Sequence, residues 1–202
     1  MIRLGYVVRR FMLDCKRGLT GKRKILVQTS PIDFDKYISS YPNFPKPGIV
    51  FRDISPLLAS AKGMNCAIDK LFAQIASLEI DLVAGIESRG FLFSTLLAAR
   101  LNVGSMMIRK PGKLPGKLIH ESYDLEYGSA ALTMQKDAPV AGRSVLLIDD
   151  LLATGGTMLA AKSLLQGCGA VVSACVVIVE LAALGGRALI DTPLIALQVY
   201  DD

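Results

Sequence analysis

The chain lacks the residues and runs that would mark several common classes. Its four cysteines, Cys15, Cys66, Cys168 and Cys175, are scattered without a Cys-x-x-Cys pair or a metal-ligand spacing. That excludes a disulfide scaffold and fits free thiols in a reducing compartment. No apolar run reaches the roughly 20 residues that a membrane helix needs, because the most apolar stretch, 170–184, is interrupted by Glu180. Neither a Gly-x-x-x-x-Gly-Lys-Ser/Thr loop nor a Gly-x-Gly-x-x-Gly turn after a strand is present, so two common phosphate-binding frames are absent. There is one histidine, His120, and there are no internal repeats or low-complexity tracts.

What is present is an ordinary globular composition, 51% hydrophobic and 20% charged over 202 residues, enough chain to bury one substantial core. The net charge of +5 is unevenly placed. Residues 1–30 carry eight basic side chains against the single acid Asp14, whereas the remaining 172 residues hold 15 basic and 17 acidic groups. The basic character therefore belongs to an N-terminal arm, and the body is slightly acidic. This divides the chain into an extension, 1–29, and one domain, 30–202. The arm's composition is compatible with an organelle transit peptide or an anionic-surface contact, and equally with a solvated extension or a packed first helix.

From Ser30 the pattern is regular. Ser30-Pro31-Ile32-Asp33 predicts the start of a short helix running to about Ser39, and 41–48 is a proline-punctuated loop. Helical spacing follows over 63–78, then a short buried strand at 81–85, a helix over 91–101 and an extended segment at 104–108. Further extended segments at 144–148, 171–178 and 194–199 flank a helix over 157–166. Such alternation predicts an α/β domain around a mostly parallel sheet. The segment 110–120, polar and rich in glycine, proline and lysine, is too long for a simple turn and is expected to be a mobile lid.

The chemistry concentrates in Val145-Leu-Leu-Ile-Asp149-Asp150-Leu-Leu-Ala-Thr154-Gly155-Gly156-Thr157. Four apolar residues make a buried strand that delivers two adjacent carboxylates to the rim of the sheet, where open α/β folds bind ligands. The turn that follows leads into a helix, so its backbone N–H groups and hydroxyls face an anion, and its glycines allow close approach. A phosphate loop beside two acids able to accept from vicinal hydroxyls, or to face Mg²⁺, suits a ribose 5-phosphate.

This segment closely resembles the phosphoribosyl-pyrophosphate signature of the type I phosphoribosyltransferases. Three more stretches are similar to the adenine branch of that family: Pro47-Gly-Ile-Val-Phe-Arg52-Asp-Ile-Ser-Pro56, Gly85-Ile-Glu-Ser-Arg89-Gly-Phe-Leu-Phe93, and Arg109-Lys-Pro-Gly-Lys-Leu-Pro-Gly116 followed by Tyr123-Asp-Leu-Glu126-Tyr127-Gly128. The resemblance covers about residues 30–190. The arm lies outside it, and 196–202 is shorter than the family's usual closing strand and tail.

The resemblance implies a twisted parallel sheet with a small hood and a lid, and a role for each matched residue. Asp149 and Asp150 would hold the ribose hydroxyls, and Ala153, Thr154, Gly155, Gly156 and Thr157 the 5-phosphate. Ser88 and Arg89 would meet the pyrophosphate, a guanidinium fork suiting that task. Read alone, Arg89 is equally a surface arginine in a turn. Lys110 and Lys113 would ride on the lid and neutralise the leaving pyrophosphate, although without the family match a lysine-rich loop is as readily just solvated. Glu126 would exchange a proton with the purine, and Tyr127 would order the lid or touch the ligand. His120 falls where the family pattern needs no histidine and is read as a solvated side chain.

For the base, Ala153 replaces the aspartate that the 6-oxopurine relatives use. Adenine would instead be read by the main chain of Val50 and Arg52 between apolar walls of Phe51 and Leu151, with Phe51 equally a candidate for ordinary core. The implied reaction is transfer of the phosphoribosyl group from phosphoribosyl pyrophosphate to adenine, giving AMP and pyrophosphate in purine salvage. Mg²⁺ would be the cofactor, carried mainly by substrate, and the enzyme a cytoplasmic homodimer without a transmembrane segment. Two alternatives stand beside this. One is a transferase for another base; the other is a phosphoribosyl-pyrophosphate sensor whose basic arm binds nucleic acid, supported only by the charge of that arm.

Overall fold

The computed structural model describes residues 33–124 and 129–202. Its core is a five-stranded, all-parallel sheet in the order β4-β3-β7-β8-β9. The strands are β3 (Leu82–Ile86), β4 (Gly104–Ile108), β7 (Ser144–Leu152), β8 (Val171–Leu181) and β9 (Leu194–Tyr200). Central strands of such a sheet are buried on both faces, and the sequence supplies apolar residues on both. In β7, Val145 and Leu147 enter one core while Leu146 and Ile148 enter the other. In β8, Cys175 and Val177 alternate in the same way with Ala174, Val176 and Ile178. The two cores are therefore the two faces of one sheet, as a side-chain period of two demands.

One face is covered by α2 (Ala61–Ile75) and α3 (Gly90–Leu101), through Leu71, Ile75, Phe93 and Leu97. Ser60 caps α2, its hydroxyl accepting from Gly63 N at 3.0 Å, and Asn102 ends α3 in the left-handed region at φ 60°. The other face is covered by α4 (Gly156–Gly167) and by an antiparallel hairpin of β5 (Leu118–Asp124) and β6 (Ser129–Gln135), whose Leu132 and Met134 are buried. A second small hairpin, β1 (Ser39–Pro42) with β2 (Val50–Asp53), followed by the one-turn α1 (Ser55–Ala59), forms a hood.

The order of the strands locates the site. From β3 the chain crosses through α3 to β4 on one side, whereas from β7 it crosses through α4 to β8 on the other. The two crossovers diverge at the carboxyl ends of β3 and β7, leaving a crevice between them.

Three sequence expectations need correction. The helix to Ser39 is a short 3-10 turn, Phe34–Lys36, capped by Asp33, and Ser39 already belongs to β1. Phe34 and Ile38 are buried beneath the hood, so tertiary packing overrides the local helix signal; residues 30–32 lie outside the described residues. The lid is also shorter than 110–120, because Leu118, Ile119 and His120 are paired with Gln135, Met134 and Thr133 in the β5–β6 hairpin. The predicted strand at 144–148 continues to Leu152, so both acids sit within it.

Candidate active site

β3 pairs with β7 only as far as Gly85 and Ile148. Beyond that point β7 is held by β8 alone, through Asp149–Val177, Leu151–Val179 and Leu152–Glu180. The uncovered edge opens a cleft of about 640 Å³, lined by Glu87, Ser88 and Arg89, by Lys110, and by the continuous run from Asp149 to Met158. Tyr123 and Ala130 close it from the hairpin.

Asp149 and Asp150 are 9% and 5% exposed. Burial, and then the neighbouring Asp150 charge, hold the Asp149 carboxyl well above the usual carboxylate range. Burial also raises Asp150, but the Arg89 guanidinium, at 2.7 Å, opposes that rise. The pair is thus unequal. Asp150 has a cationic partner, whereas the Asp149 carboxylate, among the described residues, has no ion pair and accepts from the Asp150 N–H at 2.8 Å. A buried acid such as Asp149, with no ion pair among the described residues, is costly to folding, and perturbed buried acids in a cleft are features of ligand sites.

The glycine turn into α4 follows at once. Gly155 is left-handed, with φ 89°, and precedes the first turn of α4. Leu159 N–H donates to the Gly155 carbonyl at 2.9 Å, and among the described residues no hydrogen bond engages the amides of residues 154–158. The first amides of a helix have no intrahelical partner, and residues 154–158 line the cleft, an arrangement that favours an anion.

Glu87 was not assigned a role from sequence, yet it roots the lid. Its carboxylate accepts from Arg109 Nε at 3.2 Å and from the Lys110 amide at 2.8 Å. The Arg109 hydrogen bond is the main reason that its carboxyl titrates below the usual range. Arg109 in turn donates to the Lys113 carbonyl at 3.4 Å and exchanges two backbone bonds with Thr133, joining lid and hairpin. The signal was available in principle: Glu87 sits between a buried strand and Ser88-Arg89, where an acid has no stabilising reason to be unless it meets a cation.

The other expected residues are placed as follows. Ser88, Arg89, Lys110, Asp149, Asp150, Leu151, Ala153, Thr154, Gly155, Gly156 and Thr157 converge on the one cleft. Val50, Phe51 and Arg52 lie on β2 and are not among its walls. Phe51 packs edge-on against Phe44 at 5.3 Å, and the Arg52 side chain is buried over the Tyr200 ring at 3.8 Å and paired with Asp202. At the end of β2, the Ser55 hydroxyl and amide hold the Asp53 carboxyl below its ordinary value. Lys113 is exposed on the lid and does not line the cleft. Glu126, Tyr127 and the basic arm lie outside the described residues.

A phosphoribosyl transferase domain model matches residues 54–194. The adenine phosphoribosyltransferase of Gluconacetobacter diazotrophicus is 49% identical over 174 residues, 86% of this chain and 99% of that protein. The chain belongs to the adenine phosphoribosyltransferase family. Among solved structures of that family, the one from Thermoanaerobacter pseudethanolicus superposes with a TM-score of 0.80 at 42% identity, covering 83% of this chain and 98% of its own. The Saccharomyces cerevisiae member, in complex with an imino-altritol bisphosphate and adenine, gives 0.77 at 38% identity, covering 81% and 96%.

Membership fixes the type I fold and the class of reaction. For a metal, the described residues contain no group of three or more His, Cys, Asp or Glu side chains. The donor set is the Asp149–Asp150 pair of hard oxygens at a phosphate loop. It fits a Mg²⁺ that keeps several waters and is carried by substrate oxygens, as that ion prefers.

Proposed function

We propose that this chain transfers the 5-phosphoribosyl group from phosphoribosyl pyrophosphate to adenine, releasing AMP and pyrophosphate. The observation that supports the reading is the juxtaposition, in the walls of one cleft, of two adjacent buried acids, Asp149 and Asp150, with the run 154–158 at the N-terminus of α4. The 5-phosphate rests on the amides of residues 154–157 and on the Thr154 and Thr157 hydroxyls, and the ribose hydroxyls donate to Asp149 and Asp150.

Arg89 has two uses in this scheme. It neutralises Asp150; when ribose hydroxyls donate to that carboxylate, the guanidinium turns to the pyrophosphate with Ser88 and Lys110. Adenine N9 then forms its bond to C1 of the ribose while the C1–O bond to pyrophosphate breaks, and the electron pair of that bond leaves with pyrophosphate. The proton lost from the base passes to Glu126. Arg89, Lys110 and Lys113 stabilise the charge that accumulates on the leaving group. Mg²⁺ supplies further charge neutralisation on the pyrophosphate when bound. The lid, 110–117, excludes water, the competing nucleophile. Main-chain groups of Val50 and Arg52 read adenine against Phe51 and Leu151, and Ala153 leaves no side-chain acid for a 6-oxopurine. The enzyme works as a homodimer in the cytoplasm; no helix among the described residues is long and apolar enough to cross a membrane.

The test is AMP formation from adenine and phosphoribosyl pyrophosphate, with and without Mg²⁺, beside hypoxanthine, guanine and uracil. Turnover confined to adenine and abolished by chelation is expected. Turnover with hypoxanthine but not adenine would overturn the base assignment, and no turnover with any base would overturn the enzymatic reading.

A further inference from the structure

The segment from Ala182 to Asp191 makes two 3-10 turns between β8 and β9 and contributes no wall to the cleft. Its backbone nevertheless touches the phosphate loop from behind. A Cβ added to Gly155 would lie 2.7 Å from the Gly186 carbonyl oxygen, and one added to Gly186 would collide with the Ala153 carbonyl and sit 2.7 Å from Gly155 N. Two backbones approach this closely only because neither carries a side chain.

The same segment is pinned on both sides of the loop. Arg187 places its guanidinium fork on Glu180, which is 3% exposed and stands in register with Leu152, the last residue of β7 before the loop. A further Arg187 nitrogen donates to the Leu194 carbonyl at the start of β9, at 3.0 Å. On the other side, Lys162 of α4, with a side chain only 6% exposed, pairs with Asp191. The strand that enters the loop and the helix that leaves it are thus tied to one short stretch of chain. Neither Glu180 nor Lys162 faces substrate, and buried charges cost stability unless they secure a geometry.

We infer that Ala182–Asp191 is a brace that sets the position of the phosphate-binding amides, with Gly186 and Arg187 as positioning residues for the 5-phosphate of the sugar substrate. The inference rests on the reading of residues 153–157 as the 5-phosphate site. Amides that hold a phosphate must be fixed to within a fraction of an ångström, and a displacement originating outside the site weakens binding without touching the chemistry.

The experiment is steady-state kinetics on the full chain with both substrates varied, for Arg187→Ala, Arg187→Lys, Gly186→Ala and Asp191→Asn. Leu184→Ala, at a half-exposed side chain of the same segment, serves as control. Arg187→Ala should raise KM for phosphoribosyl pyrophosphate about tenfold and Gly186→Ala about a hundredfold, with KM for adenine and kcat at saturating sugar little changed. Arg187→Lys should recover part of the loss, because an ammonium reaches one Glu180 oxygen but cannot also serve Leu194. If Arg187→Ala does not fold, Arg187→Lys and Asp191→Asn carry the test. The brace is overturned if folded variants keep KM for the sugar within about twofold of the parent, or if both KM values rise together. A parent enzyme without AMP formation would instead overturn the site reading. A parent that turns over and is weakened for the sugar by Asp150→Asn, but not by the brace variants, overturns the brace alone.

Discussion

Asp149→Asn should make the protein more stable and less active at once. Asp149 is almost fully buried and lies beside a second acid, and its carboxylate receives one hydrogen bond, from the Asp150 amide. An asparagine keeps that acceptor and the side-chain volume while removing the buried charge. Relief of a poorly compensated buried polar group is worth about 1–2 kcal/mol in favourable cases. For a chain of this size that corresponds to a rise in Tm of about 2–8 °C.

The pH dependence has a definite sign. Burial raises Asp149 above 3.8, its ordinary value, so over the interval between that value and the raised one the native state binds more protons than the unfolded chain. Stability contributed by this group therefore falls as pH rises through that interval, and the deficit is complete above it. The gap in Tm between variant and parent should be small near pH 4 and widen toward pH 8. Activity moves the other way: replacing a charged acceptor of a ribose hydroxyl should lower kcat/KM for phosphoribosyl pyrophosphate by about 10- to 100-fold, the usual worth of a hydrogen bond to a charged group. Calorimetry across pH with parallel kinetics tests both arms. A variant less stable than the parent at pH 8, or a gap that narrows with rising pH, would refute the argument that Asp149 is kept for a ligand.

Glu87→Gln should raise KM for phosphoribosyl pyrophosphate by several-fold, about 3- to 10-fold, by loosening the lid root that Arg109 and the Lys110 amide share. Because Glu87 titrates below its ordinary value, its contribution is present above that value and is lost as pH falls through the lowered one, so the parent and the variant should converge in acid; a pH–KM profile checks this. Arg89→Ala should weaken pyrophosphate as a product inhibitor and also destabilise the fold, since Asp150 loses its cation; inhibition kinetics and a melting curve measure the two effects. Phe93→Ala, at a fully buried position between α3 and the sheet, should cost about 3–5 kcal/mol by chemical denaturation, with KM values unchanged in whatever fraction remains folded.

The strand–turn–helix frame of 144–167 could be read almost completely from the chain, because its physics is local. A strand of apolar residues, two acids, and a Thr-Gly-Gly-Thr turn into a helix occupy consecutive positions, so neighbours in sequence are neighbours in space. The same locality made β3, β4 and α3 predictable to within a residue or so. It failed at 33–39, where Phe34 and Ile38 are drawn into the core and the chain makes one 3-10 turn before entering β1. It also failed at 118–120, where pairing with 133–135 across the hairpin outweighed a polar, loop-like composition.

The sequence by itself determined the α/β class, through its periodicity, and the family, through contiguous motifs that resemble known ones, together with the strand–turn–helix that follows Ser144. Only the tertiary structure decided that Arg89, from the end of β3, answers the charge of Asp150, from the end of β7, that Glu87 roots the lid, and that Gly186 supports the loop from behind. Those contacts join residues about 23 to 60 positions apart in the chain, and no local pattern encodes them. They exist because two crossovers diverge at neighbouring strands and leave a crevice into which both strand ends point.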